Sequence, residues 1–166
     1  AVVCIPRGWI WQGGIALAVV MFGDSVDGTL ARMTTGGTRF GAFLDSTLDR
    51  LADGAVFGSL TAFAIFRMAD SPVRTWVIIA GICSIIGAAA VPYARARAES
   101  VGVVAKLGIA ERTDRLIVGM GSAIIMSLGA PEWVLAVGLT WVTFASFVTV
   151  CQRIWFTACH IDEGTQ

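Results

Sequence analysis

Charge is what this chain has least of: only 14% of its 166 residues are Asp, Glu, Lys or Arg, against about 25% in ordinary soluble domains. So few charges cannot cover the surface of a water-soluble globule, and 56% of the residues are hydrophobic. The 12 basic and 12 acidic residues cancel, which excludes an electrostatic partnership with nucleic acid. Histidine is almost absent: His160, the only one, lies in the polar tail beyond the last apolar run and is not a catalytic candidate. The four cysteines, Cys4, Cys83, Cys151 and Cys159, form no CxxC and no Cys/His ligand spacing, so they read as plain thiols in apolar surroundings. Nothing in these residues resembles a cleaved signal peptide with a charged front and a small-residue exit site. Neither a linker nor an internal repeat divides the chain.

Long apolar runs fill the space that charge leaves. Uncharged stretches extend over Gly8–Gly23, Gly54–Phe66, Thr75–Ala94, Leu116–Pro131 and Trp133–Gln152, and the mean hydropathy is +0.76. A spanning helix needs about 20 mostly apolar residues, so five spans fit once flanking polar residues complete the shorter runs. Backbone groups in lipid must be satisfied internally, which permits only helices or a closed barrel, and runs this long exclude the barrel. The expected fold is an all-α, multi-pass transmembrane bundle, one domain over residues 1–166, with helices near 10–33, 38–67, 73–99, 109–129 and 132–158. Breakers at Gly36-Gly37, Ala69–Pro72, Gly102, Gly108, Gly129 and Pro131 separate them. Pro92 falls late in the third and is a candidate kink beside Arg95.

Basic residues are distributed unevenly. Arg32, Arg39, Arg95, Arg97, Lys106, Arg112, Arg115 and Arg153 fall at one set of helix ends, and only Arg67 and Arg74 at the other. The positive-inside rule therefore places the first set in the cytoplasm, in a cell membrane.

Against this background four aspartates stand out, Asp24 and Asp27 on the first helix and Asp45 and Asp49 on the second. Asp24, Asp27, Gly28, Ala31 and Arg32 share one face at three- and four-residue steps, and Gly41, Asp45, Asp49 and Asp53 step by four. A short connection makes the two helices antiparallel neighbours, so the acidic faces converge. Their mutual repulsion calls for counter-charge, and oxygen-only ligands suit hard cations such as Mg2+ or Mn2+, two ions for four acids. The plainer alternative is ion pairing with Arg32, Arg39 and Arg50. Gly28, Ala31, Gly41, Ala42, Gly54 and Gly58 are expected to permit close approach of helices or ligand. Asp53 reads as structural, and Arg97 and Arg112 have Glu99, Glu111 and Asp114 as nearby ionic partners.

Asp24, Asp27, Gly28, Ala31, Arg32, Gly41, Asp45 and Asp49 together resemble the complete signature of the CDP-alcohol phosphotransferases, D-x2-D-G-x2-A-R-x8-G-x3-D-x3-D. The resemblance implies transfer of a substituted phosphate from a CDP-linked donor to an alcohol, with release of CMP. It implies that Asp24, Asp27 and Asp45 hold one metal and Asp24, Asp45 and Asp49 a second, with Asp49 also the base for the acceptor hydroxyl. Gly28, Ala31 and Gly41 would make room for the donor, and Arg32 and Thr38 would contact its diphosphate.

The segments YARARAESVG and GIAERTDRL, with CQR near the end of the last helix, are similar to the actinobacterial phosphatidylinositol phosphate synthases within that family. That likeness implies CDP-diacylglycerol as donor, inositol phosphate as acceptor, a homodimer, and a phosphate site at Arg95, Arg115 and Arg153. Position 95 is Arg where those enzymes have Lys, so a planar fork replaces a point charge. It also implies an interfacial helix and a first span upstream of Ala1, in keeping with a start that lacks Met. Two other readings stay open from the residues: the same chemistry with glycerol 3-phosphate as acceptor, and a cation transporter or channel whose acids bind the permeating ion.

Overall fold

The structure, a computed structural model, describes residues 5, 6, 8, 12, 38–105, 107–109 and 111–161. The helix expected over 10–33 lies, Gln12 apart, outside the described residues, and with it Asp24, Asp27, Gly28, Ala31 and Arg32. Four long helices make up the remainder: α1 (Arg39–Arg67), α2 (Pro72–Ser100), α3 (Arg112–Ser127) and α4 (Trp133–His160). No strand occurs among the described residues.

Local chemistry sets the helix ends. The Thr38 hydroxyl oxygen accepts from the Gly41 N–H at 3.0 Å and caps α1, while Ser71 does the same for Arg74 N at 3.1 Å ahead of Pro72 at the start of α2. At α3 the Asp114 carboxylate accepts from the backbone N–H of Glu111 at 3.2 Å, so helix begins at Arg112 and not at Ile109. The far end of α1 is closed by Arg74, whose Nε and Nη2 donate to the carbonyls of Ala64 and Ile65 at 3.1 and 2.9 Å. α2 continues through Pro92, and the groove beside it is lined by Tyr93, Ala94, Arg97 and Arg153, without Arg95.

Packing is most extensive between α2 and α4, with α1 laid against α2 and α3 against α4. Phe57 and Leu60 of α1, Val77 of α2, and Leu135, Leu139 and Val142 of α4 are fully enclosed with Ile5. Outside this core the helices present apolar side chains, among them Ile79, Ile82 and Ile86 on α2 and Phe144, Ile154 and Trp155 on α4. Soluble monomers seldom expose contiguous apolar surface on this scale. α2 and α4 are each long and apolar enough to cross a membrane, with mean hydropathies of 2.1 and 2.0 over their most apolar stretches. α3, at 16 residues, rises only about 24 Å.

Small and hydroxylated residues line the seams. Ser84 Oγ donates to Leu139 O at 3.1 Å and Thr143 Oγ1 to Ala80 O at 3.0 Å, holding α2 and α4 together by polar contacts inside an apolar bundle. Between α3 and α4, a Cβ added at Gly138 would stand 2.3 Å from Ser122 Oγ, whereas one at Gly121 would meet nothing within 4 Å. Gly138→Leu is therefore expected to destabilise the fold by about 1–3 kcal/mol through overpacking, read as a lower unfolding midpoint in detergent. Gly121→Leu should leave the midpoint unchanged; equal midpoints for the two variants would contradict the close seam. At Gly54 and Gly58 a Cβ meets nothing within 4 Å among the described residues, and the helix expected over 10–33 lies outside them. Their side of α1 is not where it packs on α2.

Candidate active site

The four-residue step along α1 carries its acids from the surface inward. Asp45 is exposed, the Asp49 side chain is 28% exposed and that of Asp53 only 2%. The three form a row close enough for Asp45 and Asp53 both to act electrostatically on Asp49. A buried carboxylate requires a cation and hydrogen bonds, and the first turn of α3 supplies them.

Arg112 Nη1 forms an ion pair with Asp49 Oδ1 at 2.9 Å and its Nε donates to Asp53 Oδ1 at 3.0 Å, so one guanidinium bridges two carboxylates. Arg115, one turn further and nearly enclosed at 3% side-chain exposure, reaches Asp53 Oδ2 through Nη2 at 3.4 Å. Asp53 is thus shared by two arginines, one on each oxygen.

These pairings correct two expectations. Arg112 pairs with Asp49 and Asp53 across the α1–α3 contact rather than with Glu111 or Asp114 beside it in sequence; Asp114 is occupied in capping α3. Glu99 goes to Arg95 at 2.9 Å, while Arg97 Nη1 donates to Ser100 Oγ at 3.3 Å. Asp53, read as structural, is buried and ion-paired to both Arg112 and Arg115. The four-residue step 45–49–53, with Arg112 and Arg115 three apart on one face of α3, was the available signal. The ion-pair alternative for the acids finds its cation in Arg112, not in Arg39 or Arg50, among the described residues.

The arginines expected at the phosphate site come from three helices. Arg95 ends α2, Arg115 begins α3 and Arg153 lies late in α4. The charges of Arg95, Arg115, Glu99 and Glu111 all act on Arg153, so the structure brings the three arginines into one neighbourhood. Arg153 donates through Nε to Leu107 O at 2.9 Å and through Nη1 to Val91 O at 2.5 Å, tying α4 to α2 and to the α2–α3 connection. Beside Leu107, Gly108 adopts φ +149° and a Cβ there would lie 2.4 Å from Thr149 Cγ2, so only glycine lets the connection lie this close to α4. Three cations held near one another suit an anionic ligand.

Of the donor-side residues, Thr38 and Gly41 form the first turn of α1, where the Thr38 oxygen serves as the cap. Asp45 and Asp49 stand one turn apart and offer carboxylate oxygens only, a donor set that fits a hard divalent cation. The matching acids Asp24 and Asp27 lie outside the described residues, and no cluster of three ligating side chains occurs among the described ones.

Comparison with known proteins gives the family. The model of the CDP-alcohol phosphatidyltransferase family matches residues 1–149. The chain is 39% identical over 161 residues to the phosphatidylinositol phosphate synthase of Cutibacterium acnes, covering 93% of this chain and 76% of that relative. It is 38% identical over 154 residues to the synthase of Mycobacteroides abscessus, with 93% and 68% covered. Among solved structures, the phosphatidylinositol phosphate synthase of Mycobacterium tuberculosis in complex with manganese and citrate superposes with a TM-score of 0.86 at 33% identity, covering 95% of this chain and 74% of that one. The same enzyme with CDP-DAG bound gives 0.85 at 34% identity, over 94% and 77%. The chain belongs to the CDP-alcohol phosphatidyltransferase family, and is therefore a transferase.

Proposed function

We propose that this protein transfers the phosphatidyl group of CDP-diacylglycerol to 1D-myo-inositol 3-phosphate, giving phosphatidylinositol phosphate and CMP. The observation that carries the reading is the run of ion pairs from Asp49 through Arg112 and Asp53 to Arg115, which links the acids proposed for the donor side to an arginine proposed, with Arg95 and Arg153, for a phosphate-bearing acceptor. The names of the most similar relatives point the same way.

In this reading Asp24, Asp27, Asp45 and Asp49 would hold two divalent ions, Mg2+ or Mn2+. When bound, the metal supplies positive charge against the donor diphosphate and the leaving CMP. Gly28, Ala31 and Gly41 leave room for the donor, and Arg32 and Thr38 contact its diphosphate. Arg95, Arg115 and Arg153 orient the acceptor by its phosphate, which converts attack into an effectively intramolecular step. Asp49 takes the proton of the acceptor hydroxyl. The freed oxygen then bonds to the β-phosphorus, and the bond from that phosphorus to the bridging oxygen breaks to release CMP.

α1 and α3 complete the bundle with α2, α4 and the segment before Thr38, giving five spans. In this reading the positive-inside rule favours a site at the cytoplasmic face of the cell membrane, with the protein acting as a homodimer.

Purified protein supplied with CDP-diacylglycerol and Mg2+ is expected to release CMP with inositol phosphate, and far less with inositol or glycerol 3-phosphate. Preference for glycerol 3-phosphate would move the assignment to phosphatidylglycerophosphate synthesis. Ion flux across vesicles without CMP release would replace the enzyme by a channel.

A further inference from the structure

Asp53 lies outside the eight-residue signature, yet it is the most enclosed carboxylate in the described chain and touches both halves of the site. Its Oδ1 accepts from Arg112 Nε at 3.0 Å and its Oδ2 from Arg115 Nη2 at 3.4 Å. The same Arg112 reaches Asp49 through Nη1 at 2.9 Å. Asp49, Arg112, Asp53 and Arg115 are therefore one continuous chain of alternating charge, running from the acid assigned as base to an arginine assigned to the acceptor phosphate. A guanidinium is a rigid planar fork, so the two carboxylates it bridges are fixed in distance and in orientation relative to each other.

We propose that Arg112 and Asp53 are positioning residues that set the register between acceptor and base: Asp53 fixes Arg115, and Arg112 fixes Asp49 against Asp53. The proposal rests on the functional reading above. Neither residue touches the reacting atoms; their effect is on how far the bound acceptor hydroxyl lies from the Asp49 carboxylate. Such an arrangement explains why a buried acid with two cations is kept at a helix contact where apolar residues of similar volume would pack without the cost of desolvating three charges. Supporting partners of this kind change activity by about 10–100-fold when removed.

The decisive variant is Arg112→Lys, which keeps the charge at the α1–α3 contact but replaces the rigid planar fork by a single rotatable ammonium. In the full chain in detergent it is expected to lower kcat with inositol phosphate by about 10–100-fold and leave the KM for CDP-diacylglycerol within about twofold, the pattern of a lost transition-state alignment. Asp53→Asn, which frees Arg115 from its buried counter-charge, is expected in addition to weaken inositol phosphate binding by about 10-fold or more, measured by calorimetry without the donor. Should Asp53→Asn not fold, the double variant Asp53→Asn, Arg112→Gln removes a carboxylate and a guanidinium together and serves in its place. Unchanged kcat in Arg112→Lys, or loss of donor and acceptor affinity in equal measure, overturns the positioning role while leaving the function intact. Absence of CMP release from the unaltered protein overturns the functional reading itself, and the proposal with it.

Discussion

Asp49→Asn is expected to reduce CMP release by at least about 10²–10⁴-fold, the range over which a positioned proton acceptor contributes. Asn has the shape of Asp, and its Oδ1 can still accept from Arg112 Nη1, which in the native chain lies 2.9 Å from Asp49 Oδ1. Arg112 also keeps its 3.0 Å contact with Asp53, so the α1–α3 contact survives and the unfolding midpoint should move little. The amide cannot take a proton from the acceptor hydroxyl at neutral pH. It also removes one of the four carboxylates assigned to metal, so tighter dependence on added Mn2+ should accompany the loss. Donor binding, followed by displacement of a fluorescent CDP analogue, is expected to persist because Asp24, Asp27 and Asp45 remain. Near-normal turnover in this variant would falsify Asp49 as the base.

How far the site could be read before the structure depends on whether its chemistry is local in sequence. The acids of α1 are set by helical periodicity alone, so Asp45 and Asp49 share a face as expected, and the breakers at Thr38, Ala69–Pro72 and Gly129 bring the limits of α1, α2 and α4 within two residues of their positions. α3 starts three residues late because Glu111 and Asp114 cap it at Arg112, a competition between side chain and backbone that apolar length does not register. The partners of Arg112 and Arg115 were the larger omission. They lie 59 and 62 residues away for the contacts with Asp53, and sequence offers near neighbours such as Glu111 and Asp114 whose carboxylates have other uses. Burial is the missing quantity: a carboxylate at 2% exposure draws whatever cation the fold can bring to it, and nothing in the spacing of Asp53 states its depth.

Arg115→Ala is expected to raise the KM for inositol phosphate by about 10–100-fold, corresponding to the roughly 1.5–3 kcal/mol carried by hydrogen bonds to a charged group, with the donor KM nearly unchanged. A stability cost comes with it, because Asp53 loses the contact from Arg115 Nη2. That cost should fall at or below the lower end of the about 3–5 kcal/mol seen when one partner of a buried pair is removed, since Arg112 Nε still holds Asp53 Oδ1. Arg95→Ala isolates the ligand effect: the Arg95 side chain is 44% exposed and pairs with Glu99, one turn away on the same helix, an exposed pair worth little to the fold. It should therefore raise the acceptor KM without lowering the unfolding midpoint. Arg153→Ala lies between the two, losing donors to Val91 O and Leu107 O and with them the tie that holds the Gly108 connection against α4. If the three arginines form one phosphate site, all three variants raise the acceptor KM selectively, and the stability losses are ordered Arg115 and Arg153 above Arg95. A donor KM that rises in step with the acceptor KM would show that these arginines serve the nucleotide or the fold in general, and would leave the acceptor without an assigned anchor.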